Sequence, residues 1–193
     1  MKAVANETLA GLLELLALTE SSPALNALAV TENRYLRDLK VNLGNAFGYS
    51  TLSKKESYLL ALAVAINDKS PALVDAFTRL ASDAGASQEE IAETFACVSL
   101  LNANNVFYRF RHFTKKEFYQ NTPAGIKMSI MMNPVLGKEF FELMSLMVSA
   151  LNGCEMCVNA HEASVMKLGS GEQRIYDTIR LSAIVRSFTS LYF

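Results

Sequence analysis

Apolar residues recur at helical spacing along nearly the whole chain, and runs in which apolar and polar residues alternate are absent. Leu9, Leu12, Leu13 and Leu16 near the N-terminus illustrate this spacing, which places apolar side chains on one face of a helix. The few prolines stand where helices can end, at Pro23, Pro71, Pro123 and Pro134. The pattern predicts an all-α fold.

Two features indicate where individual helices begin and end. Ser53 with Glu56, and Ser87 with Glu90, have the spacing of a capping box, in which each side chain bonds the backbone N–H of the other residue. Gly85 and Gly169 are typical of the residue that follows a helix, because glycine adopts a left-handed conformation without a steric penalty. We therefore expect helices to begin after the two serines and to end before the two glycines.

The chain also contains an internal repeat with an offset of 84 residues, which separates Leu52 from Leu136. With this offset, residues 52–108 align without a gap on residues 136–192. Further matched pairs are Lys54 and Lys138, Leu62 and Leu146, Val64 and Val148, Ala76 and Ala160, Gly85 and Gly169, Ile91 and Ile175, Thr94 and Thr178, and Tyr108 and Tyr192. Such a repeat predicts a duplicated helical unit. We expect residues 1–193 to form one compact domain, with N-terminal helices over residues 1–50.

Side chains with redox or acid–base chemistry are concentrated in the second copy of the repeat. Cys154, Cys157, His161 and Glu142 correspond to Ser70, Leu73, Phe77 and Tyr58 of the first copy. The first copy is therefore predicted to be scaffold, and the second copy is predicted to carry the reactive groups.

Composition narrows the classes of function. Of the 193 residues, 51% are hydrophobic and 19% are charged, and this apolar excess favours an oligomer that covers part of the surface. The net charge is −1 without a long run of one sign, which argues against nucleic-acid binding. The sequence has no apolar run as long as the roughly 18 residues of a membrane span, so none is expected.

The cysteines and the N-terminal stretch indicate a reducing compartment. Three cysteines, two of them three residues apart, do not form the framework of a secreted disulfide-rich protein. The apolar stretch after Lys2 is interrupted by Glu7 and Glu14, whereas a signal peptide has an uninterrupted apolar segment. We interpret this stretch as an amphipathic helix and expect a cytoplasmic protein.

The most informative motif follows the dipeptide Asn152-Gly153, which predicts a turn and a new helix that begins near Cys154. On that helix Cys154, Cys157 and His161 lie within roughly 60° of one another, because successive residues turn by about 100°. His161 lies one turn after Cys157. The two thiols and the imidazole are therefore predicted to share one face.

The helix before this turn spans about residues 137–151 and is expected to run antiparallel to the helix after it. Glu142 and His161 then sit at similar heights on facing helices, so we expect a hydrogen bond between them. A carboxylate that orients a histidine, which in turn takes the proton from a cysteine, favours the reactive thiolate.

Position along the helix indicates separate roles for the two cysteines. Cys154, at the helix start, is expected to be more exposed, and Cys157 lies one turn deeper beside His161. We assign Cys157 as the thiolate that attacks a peroxide oxygen, and Cys154 as the thiol that condenses with the resulting sulfenic acid. The helix dipole alone favours Cys154 as the more acidic thiol, so the reverse assignment stays open.

These residues also allow other interpretations. A Cys-x-x-Cys pair alone is compatible with buried core thiols, and two cysteines, a histidine and a glutamate could bind zinc. Structural zinc sites usually draw ligands from two knuckles, of which the sequence has one, and no cofactor is expected. Cys97 is interpreted as a core thiol, and His112 as part of a helix that faces a neighbouring subunit. The methionines Met128, Met131, Met132, Met144 and Met147 are interpreted as core or cavity-lining residues.

The motif resembles the signature of the alkyl hydroperoxide reductase D family, which belongs to the carboxymuconolactone decarboxylase-like superfamily. The similarity rests on Glu142, eleven intervening residues, and then Cys154-x-x-Cys157-x-x-x-His161. It extends to the asparagine-rich segment 104–109 and to the segments 133–134, 141–143, 149–154 and 160–162. Coverage runs from about Asp38 to the C-terminus.

The resemblance implies a duplicated all-α fold assembled as trimers or hexamers. It implies peroxidase activity toward alkyl hydroperoxides, with Cys157 as the peroxidatic residue, Cys154 as the resolving residue, and Glu142 with His161 as the proton relay. It also implies that a dithiol or a lipoyl-bearing protein supplies electrons, and that a peroxiredoxin can receive them.

One position departs from the family pattern. Members often carry a histidine immediately before the second cysteine, where this chain has Met156, and a thioether cannot shuttle a proton. The sequence therefore predicts a thiol-dependent alkyl hydroperoxidase whose relay is shorter, slower, or directed at a different substrate or partner. The alternatives are a redox-responsive helical scaffold without turnover and a zinc-binding protein.

Overall fold

The computed structural model describes residues 6–193, so Lys2 lies outside the described residues. Three helices precede the repeat: α1 (Glu7–Leu15), α2 (Pro23–Val30) and α3 (Arg34–Ala46). The repeat begins with α4 (Lys54–Asn67), α5 (Pro71–Asp83) and α6 (Gln88–Thr114). A connecting segment holds α7 (Glu117–Asn121) and a short 3-10 helix (Ser129–Met131). The chain ends with α8 (Lys138–Leu151), α9 (Glu155–Lys167) and α10 (Glu172–Thr189).

The predicted all-α fold is confirmed, since residues 6–193 contain no strand. Within the same residues, no helix is long and apolar enough to cross a membrane. The N-terminal stretch forms the amphipathic helix that its pattern predicts, because Leu12 and Leu16 are fully buried and Glu14 faces outward.

The helix boundaries follow the 84-residue offset of the sequence repeat. Helices α4 and α8 begin at residues 54 and 138, α5 and α9 at 71 and 155, and α6 and α10 at 88 and 172, so every pair differs by 84. The first two pairs also end at this offset, at residues 67 and 151 and at residues 83 and 167. The duplicated helical unit is therefore confirmed.

The expected caps explain these boundaries. Ser53 and Ser87 each form a complete capping box with the glutamate three residues further on. Gly85 and Gly169 follow α5 and α9 with φ angles of 89° and 99°, a conformation that a residue with a Cβ adopts only with strain. Local sequence therefore sets most helix ends.

The two repeats share one cluster of buried side chains. Helix α10 packs against α3, α4 and α8, while α6 packs against α4, α8 and α9. The largest fully buried side chains, Phe77, Phe141 and Phe188, come from both repeats. Because the helices of one repeat cover those of the other, a site on α9 has walls from both halves. The single domain over residues 1–193 stays a prediction.

A half-buried ion cluster also joins the repeats. Arg174 on α10 contacts Glu56 on α4 at 2.5 Å and Glu139 on α8 at 3.0 Å. Burial alone would raise the pKa of Glu56, but hydrogen bonds from Arg174 and from the backbone and side chain of Ser53 outweigh it, and the pKa is lowered. Desolvation alone would lower the pKa of Arg174, but its hydrogen bonds with Glu139 and Glu56 outweigh this effect, and the pKa is raised.

Candidate active site

The tight turn between α8 and α9 positions the motif. Gly153 has a φ of 67°, and its N–H donates to Ala150 O at 3.1 Å. The N–H of Cys154 donates to Ser149 O at 3.0 Å, so the turn itself satisfies two of the last carbonyls of α8. Helix α9 begins directly afterwards with Cys154 as its N-cap. The predicted antiparallel hairpin is confirmed.

A set of polar side chains from α4 and α6 holds this turn in place. Asn67 Nδ2 donates to Asn152 Oδ1 at 3.1 Å, and Asn152 Nδ2 donates to Asn105 Oδ1 at 3.0 Å. Arg109 Nη1 donates to the carbonyl of Asn152 at 2.6 Å, and Asn105 Nδ2 donates to Ser149 Oγ at 3.0 Å. Because these donors and acceptors are paired, the start of α9 has a defined orientation.

The sulfurs of Cys154 and Cys157 are bonded to each other, and their Cα atoms lie 5.3 Å apart. The expectation that Cys154 is the more exposed cysteine is wrong for this state of the pair: Cys154 is fully buried and Cys157 is 6% exposed. The reason is the turn, which draws Cys154 back against the end of α8 instead of leaving it at a free helix terminus.

Glu142 and His161 meet as their spacing predicts. Glu142 Oε2 lies 2.6 Å from His161 Nδ1, and the two side chains are only 18% and 12% exposed. A carboxylate accepts hydrogen bonds, so Nδ1 carries the proton and Nε2 is left as the acceptor nitrogen when the ring is neutral. Glu142 therefore fixes the orientation of the imidazole, and Nε2 of His161 stays available to accept a proton.

A cavity of about 190 Å³ adjoins Cys157 and His161. Its other lining residues are Asn104, Tyr108, Met128, Met131, Met156 and Ala160. Cys157 therefore has access to the cavity, whereas Cys154 is not among the lining residues. Glu142 also lies outside this lining, behind the imidazole. Three thioethers make the wall mostly apolar and adaptable.

Sequence reasoning missed that the first repeat and the connecting segment contribute to this cavity. Asn104 and Tyr108 lie on α6, and Met128 and Met131 lie between the repeats. The sequence marks Asn104 only as part of an asparagine-rich segment, with no signal that it faces α9. The prediction that the methionines line the core or a cavity is confirmed for Met144 and Met147, which are fully buried, and for Met128 and Met131 on the cavity wall. It is wrong for Met132, which is 74% exposed.

The remaining thiol lies apart from this chemistry. Cys97 is fully buried on α6, where its sulfur lies 3.7 Å from Ser145 Oγ. Burial raises the pKa of Cys97 to about 12, so it stays a neutral thiol, as expected of a core residue.

The alternative of a zinc site finds no further support in the geometry. Across the described part of the chain, no group of three or more histidine, cysteine or acidic side chains is arranged to hold a metal ion. His112, the other histidine, lies 3.4 Å from Glu155 on α9 and is not among the residues that line the cavity.

Comparison with known proteins agrees with the duplicated fold. The sequence profile of the Carboxymuconolactone decarboxylase family matches residues 39–115 and again residues 119–191. The chain belongs to this family.

Within the family, the chain is similar to alkyl hydroperoxide reductase D proteins. A relative from Coxiella burnetii (strain RSA 493 / Nine Mile phase I), named alkyl hydroperoxide reductase AhpD, is 34% identical over 160 residues, which are 81% of this chain and 90% of the relative. A relative of the same name from Streptomyces coelicolor is 34% identical over 164 residues, 85% of this chain and 92% of its own. A third, from Rhodopseudomonas palustris (strain BisB18), is 33% identical over 153 residues, 79% and 84% of the two chains.

Proposed function

We propose that this protein is a thiol-dependent peroxidase that reduces alkyl hydroperoxides to alcohols. The observation that carries the proposal is the shared cavity of Cys157 and His161, together with the 2.6 Å contact between His161 and Glu142. The names of the relatives support a peroxide-related redox function. Together they favour an enzyme over a scaffold.

In the reduced protein, His161 takes the proton of Cys157, and Glu142 stabilises the imidazolium that forms. The thiolate attacks the terminal peroxide oxygen, so an S–O bond forms and the O–O bond breaks. The alkoxide leaves and receives the proton from His161, giving an alcohol and a sulfenic acid on Cys157.

The thiol of Cys154 then attacks the sulfur of the sulfenic acid. The S–O bond breaks, water leaves, and the disulfide forms. An external dithiol reopens the disulfide by exchange and is itself oxidised, so each turnover converts one hydroperoxide and one dithiol into an alcohol, water and a disulfide. We propose that a lipoyl-bearing protein supplies this dithiol in the cytoplasm, that a peroxiredoxin can accept the electrons, and that the chain works as a homo-oligomer.

The test is peroxide consumption by the purified protein with dithiothreitol, measured for wild type, Cys157→Ser, Cys154→Ser and the control Cys97→Ser. We expect turnover in wild type and in the control, and none in Cys157→Ser. When peroxide is added after the dithiothreitol has been removed, we expect a sulfenic acid to accumulate in Cys154→Ser, because no second thiol is left to condense with it. Full activity of Cys157→Ser would overturn the assignment of its role. A wild type whose disulfide forms and reopens without consuming peroxide would favour the redox-responsive scaffold, and zinc in the purified protein would favour the metal-binding alternative.

A further inference from the structure

One polar side chain of the cavity, that of Asn104, has no role in packing that explains its buried carbonyl. Asn104 on α6 is 5% exposed, and its Nδ2 donates to Met128 Sδ at 3.2 Å. Within residues 6–193, its Oδ1 has no hydrogen-bond partner. A buried carbonyl without a donor costs about 1–3 kcal/mol, so an apolar residue of similar size would make a more stable protein.

The neighbouring asparagine shows what a structural role looks like. Asn105 donates to Ser149 and accepts from Asn152, both at 3.0 Å, so its amide is used on both sides. The position equivalent to Asn104 in the second repeat is Phe188, which is fully buried and stacks on Tyr192 with ring centroids 5.5 Å apart. The helical frame therefore accepts an apolar side chain at this position, and Asn104 is the exception.

The cavity supplies a reason for the exception. Asn104 lines the same cavity as Cys157 and His161, where the other walls include the thioethers of Met128, Met131 and Met156. A molecule that enters this cavity finds an acceptor without a donor, Oδ1 of Asn104, in the same cavity as the sulfur of Cys157. A hydroperoxide carries one O–H donor on the oxygen that the thiolate attacks, next to an organic group that suits an apolar wall.

We propose that Asn104 contacts the substrate, accepting the O–H of the terminal hydroperoxide oxygen at Oδ1. This inference rests on the proposed peroxidase function and adds a residue to it. The hydrogen bond holds the terminal oxygen toward Cys157 and leaves the organic group against the methionine wall. The hydrogen stays on the oxygen that is transferred to sulfur, while the proton that the alkoxide needs comes from His161. A mispositioned O–O bond reacts slowly, because displacement requires alignment with the sulfur.

The experiment compares two reactions of the same thiolate. The reduced protein is mixed with tert-butyl hydroperoxide, which has an O–H donor, or with methyl methanethiosulfonate, which has neither O–H nor N–H. Disulfide formation and thiol modification are followed across pH for wild type, Asn104→Leu and Asn159→Leu. Asn159 makes the control, because it is exposed on α9 and lies outside the cavity lining.

We expect Asn104→Leu to lower the rate constant with the hydroperoxide by about 10- to 100-fold, as the loss of one hydrogen bond to a reacting group would. Its reaction with the thiosulfonate, and the pH profile of that reaction, should stay within about twofold of wild type, and Asn159→Leu should change neither rate. If the leucine side chain prevents folding, Asn104→Ala, which is too small to clash with the cavity wall, should show the same slower reaction with the hydroperoxide and an unchanged reaction with the thiosulfonate.

Three results would overturn the inference. An Asn104→Leu protein that reacts with the hydroperoxide at the wild-type rate would remove the contact. Equal losses in both reactions would make Asn104 a structural residue. A wild type that reacts with the thiosulfonate and not with the hydroperoxide would overturn the proposed function and this inference with it.

Discussion

The two repeats have the same helical frame but carry different side chains at equivalent positions. Tyr58 and Phe77 occupy the positions equivalent to Glu142 and His161, and both rings pack on Phe47, with centroids 5.3 Å and 6.1 Å away. In the second repeat the same frame holds an ionisable pair and a cavity of about 190 Å³. The difference indicates that a handful of side chains, rather than the backbone, distinguishes the apolar packing of the first repeat from the proposed reactive site of the second.

The position of Phe47 shows how the cavity arises. Phe47 lies just before the first repeat, and the same offset of 84 residues relates it to Met131, so a buried ring corresponds to a flexible thioether on the cavity wall. Three aromatic rings pack against one another at the first site, whereas methionine side chains line a cavity beside Cys157.

The helix ends of the two repeats differ as well. The first repeat has capping boxes at Ser53 and Ser87, while the equivalent residues Gly137 and Gly171 cap no N–H with a side chain. The second repeat compensates through tertiary contacts, because Arg174 bonds Glu139 and reaches Glu56 in the first repeat. Local capping therefore stabilises these two helix starts in the first repeat, whereas contacts of Arg174 support the equivalent helices in the second.

The largest effect on turnover should follow from replacing His161 by phenylalanine, the residue at the equivalent position of the first repeat. His161→Phe keeps a ring that the frame accepts but removes the base, so we expect turnover to fall by about 100- to 10,000-fold. The reaction of Cys157 with a thiol reagent should also move to higher pH, which stopped-flow measurements across pH can record.

Glu142→Gln is the matched control for this change, because it keeps an acceptor for Nδ1–H and removes only the charge. Its loss of turnover should be smaller. An unchanged thiol titration in His161→Phe would remove His161 from the relay.

The next effect concerns the contact between repeats. Arg174→Met leaves Glu56 and Glu139 without their shared partner, so the free energy of unfolding should fall by about 2 kcal/mol, less than for a fully buried pair because both carboxylates are partly exposed. Urea denaturation measures this value. Arg180→Met, on the same helix but 50% exposed, is the control and should cost less than about 1 kcal/mol.

This cluster also predicts a pH dependence. The pKa of Glu56 is lowered in the folded protein from its ordinary value of 4.5, so its contribution to stability is present above that value and is lost as the pH falls below it. Arg174→Met should flatten the decline in stability below pH 4.5. An equally steep decline in the variant would show that other carboxylates dominate it.

A smaller effect is expected from filling the cavity. Met131→Phe places the ring of Phe47 at its equivalent position, so the reaction with the bulky cumene hydroperoxide should slow by about 10-fold relative to the reaction with hydrogen peroxide. Met132→Phe is the control, because Met132 is 74% exposed and lies outside the lining. Equal slowing with both peroxides would argue against the cavity as the substrate site.

The smallest effect is expected at Cys97. Its burial and a pKa of about 12 keep it protonated, so Cys97→Ala should change turnover by less than about twofold. In the native reduced protein, Cys97 should react with a thiol reagent only after denaturation. Fast modification of all three would contradict the burial of Cys97.

Sequence alone predicts the features that depend on local residues. The capping boxes, the glycines after α5 and α9, and the turn before Cys154 set the helix boundaries, and the rise of the helix then brings Glu142 to His161. The burial of Cys154 could not be predicted, because it depends on how the turn folds back on α8. The contributions of Asn104 and Met131 were missed since they come from tertiary packing across an interval of dozens of residues.

The proposed peroxidase mechanism requires that Cys154 and Cys157 together reduce one peroxide. The most direct measurement adds a limiting amount of tert-butyl hydroperoxide to the fully reduced protein, and then counts the thiols and maps the disulfide by mass spectrometry. We expect two thiols to be lost and one alcohol to form for each peroxide, with a disulfide that joins Cys154 to Cys157. Unchanged thiols, or a disulfide that includes Cys97, would contradict it.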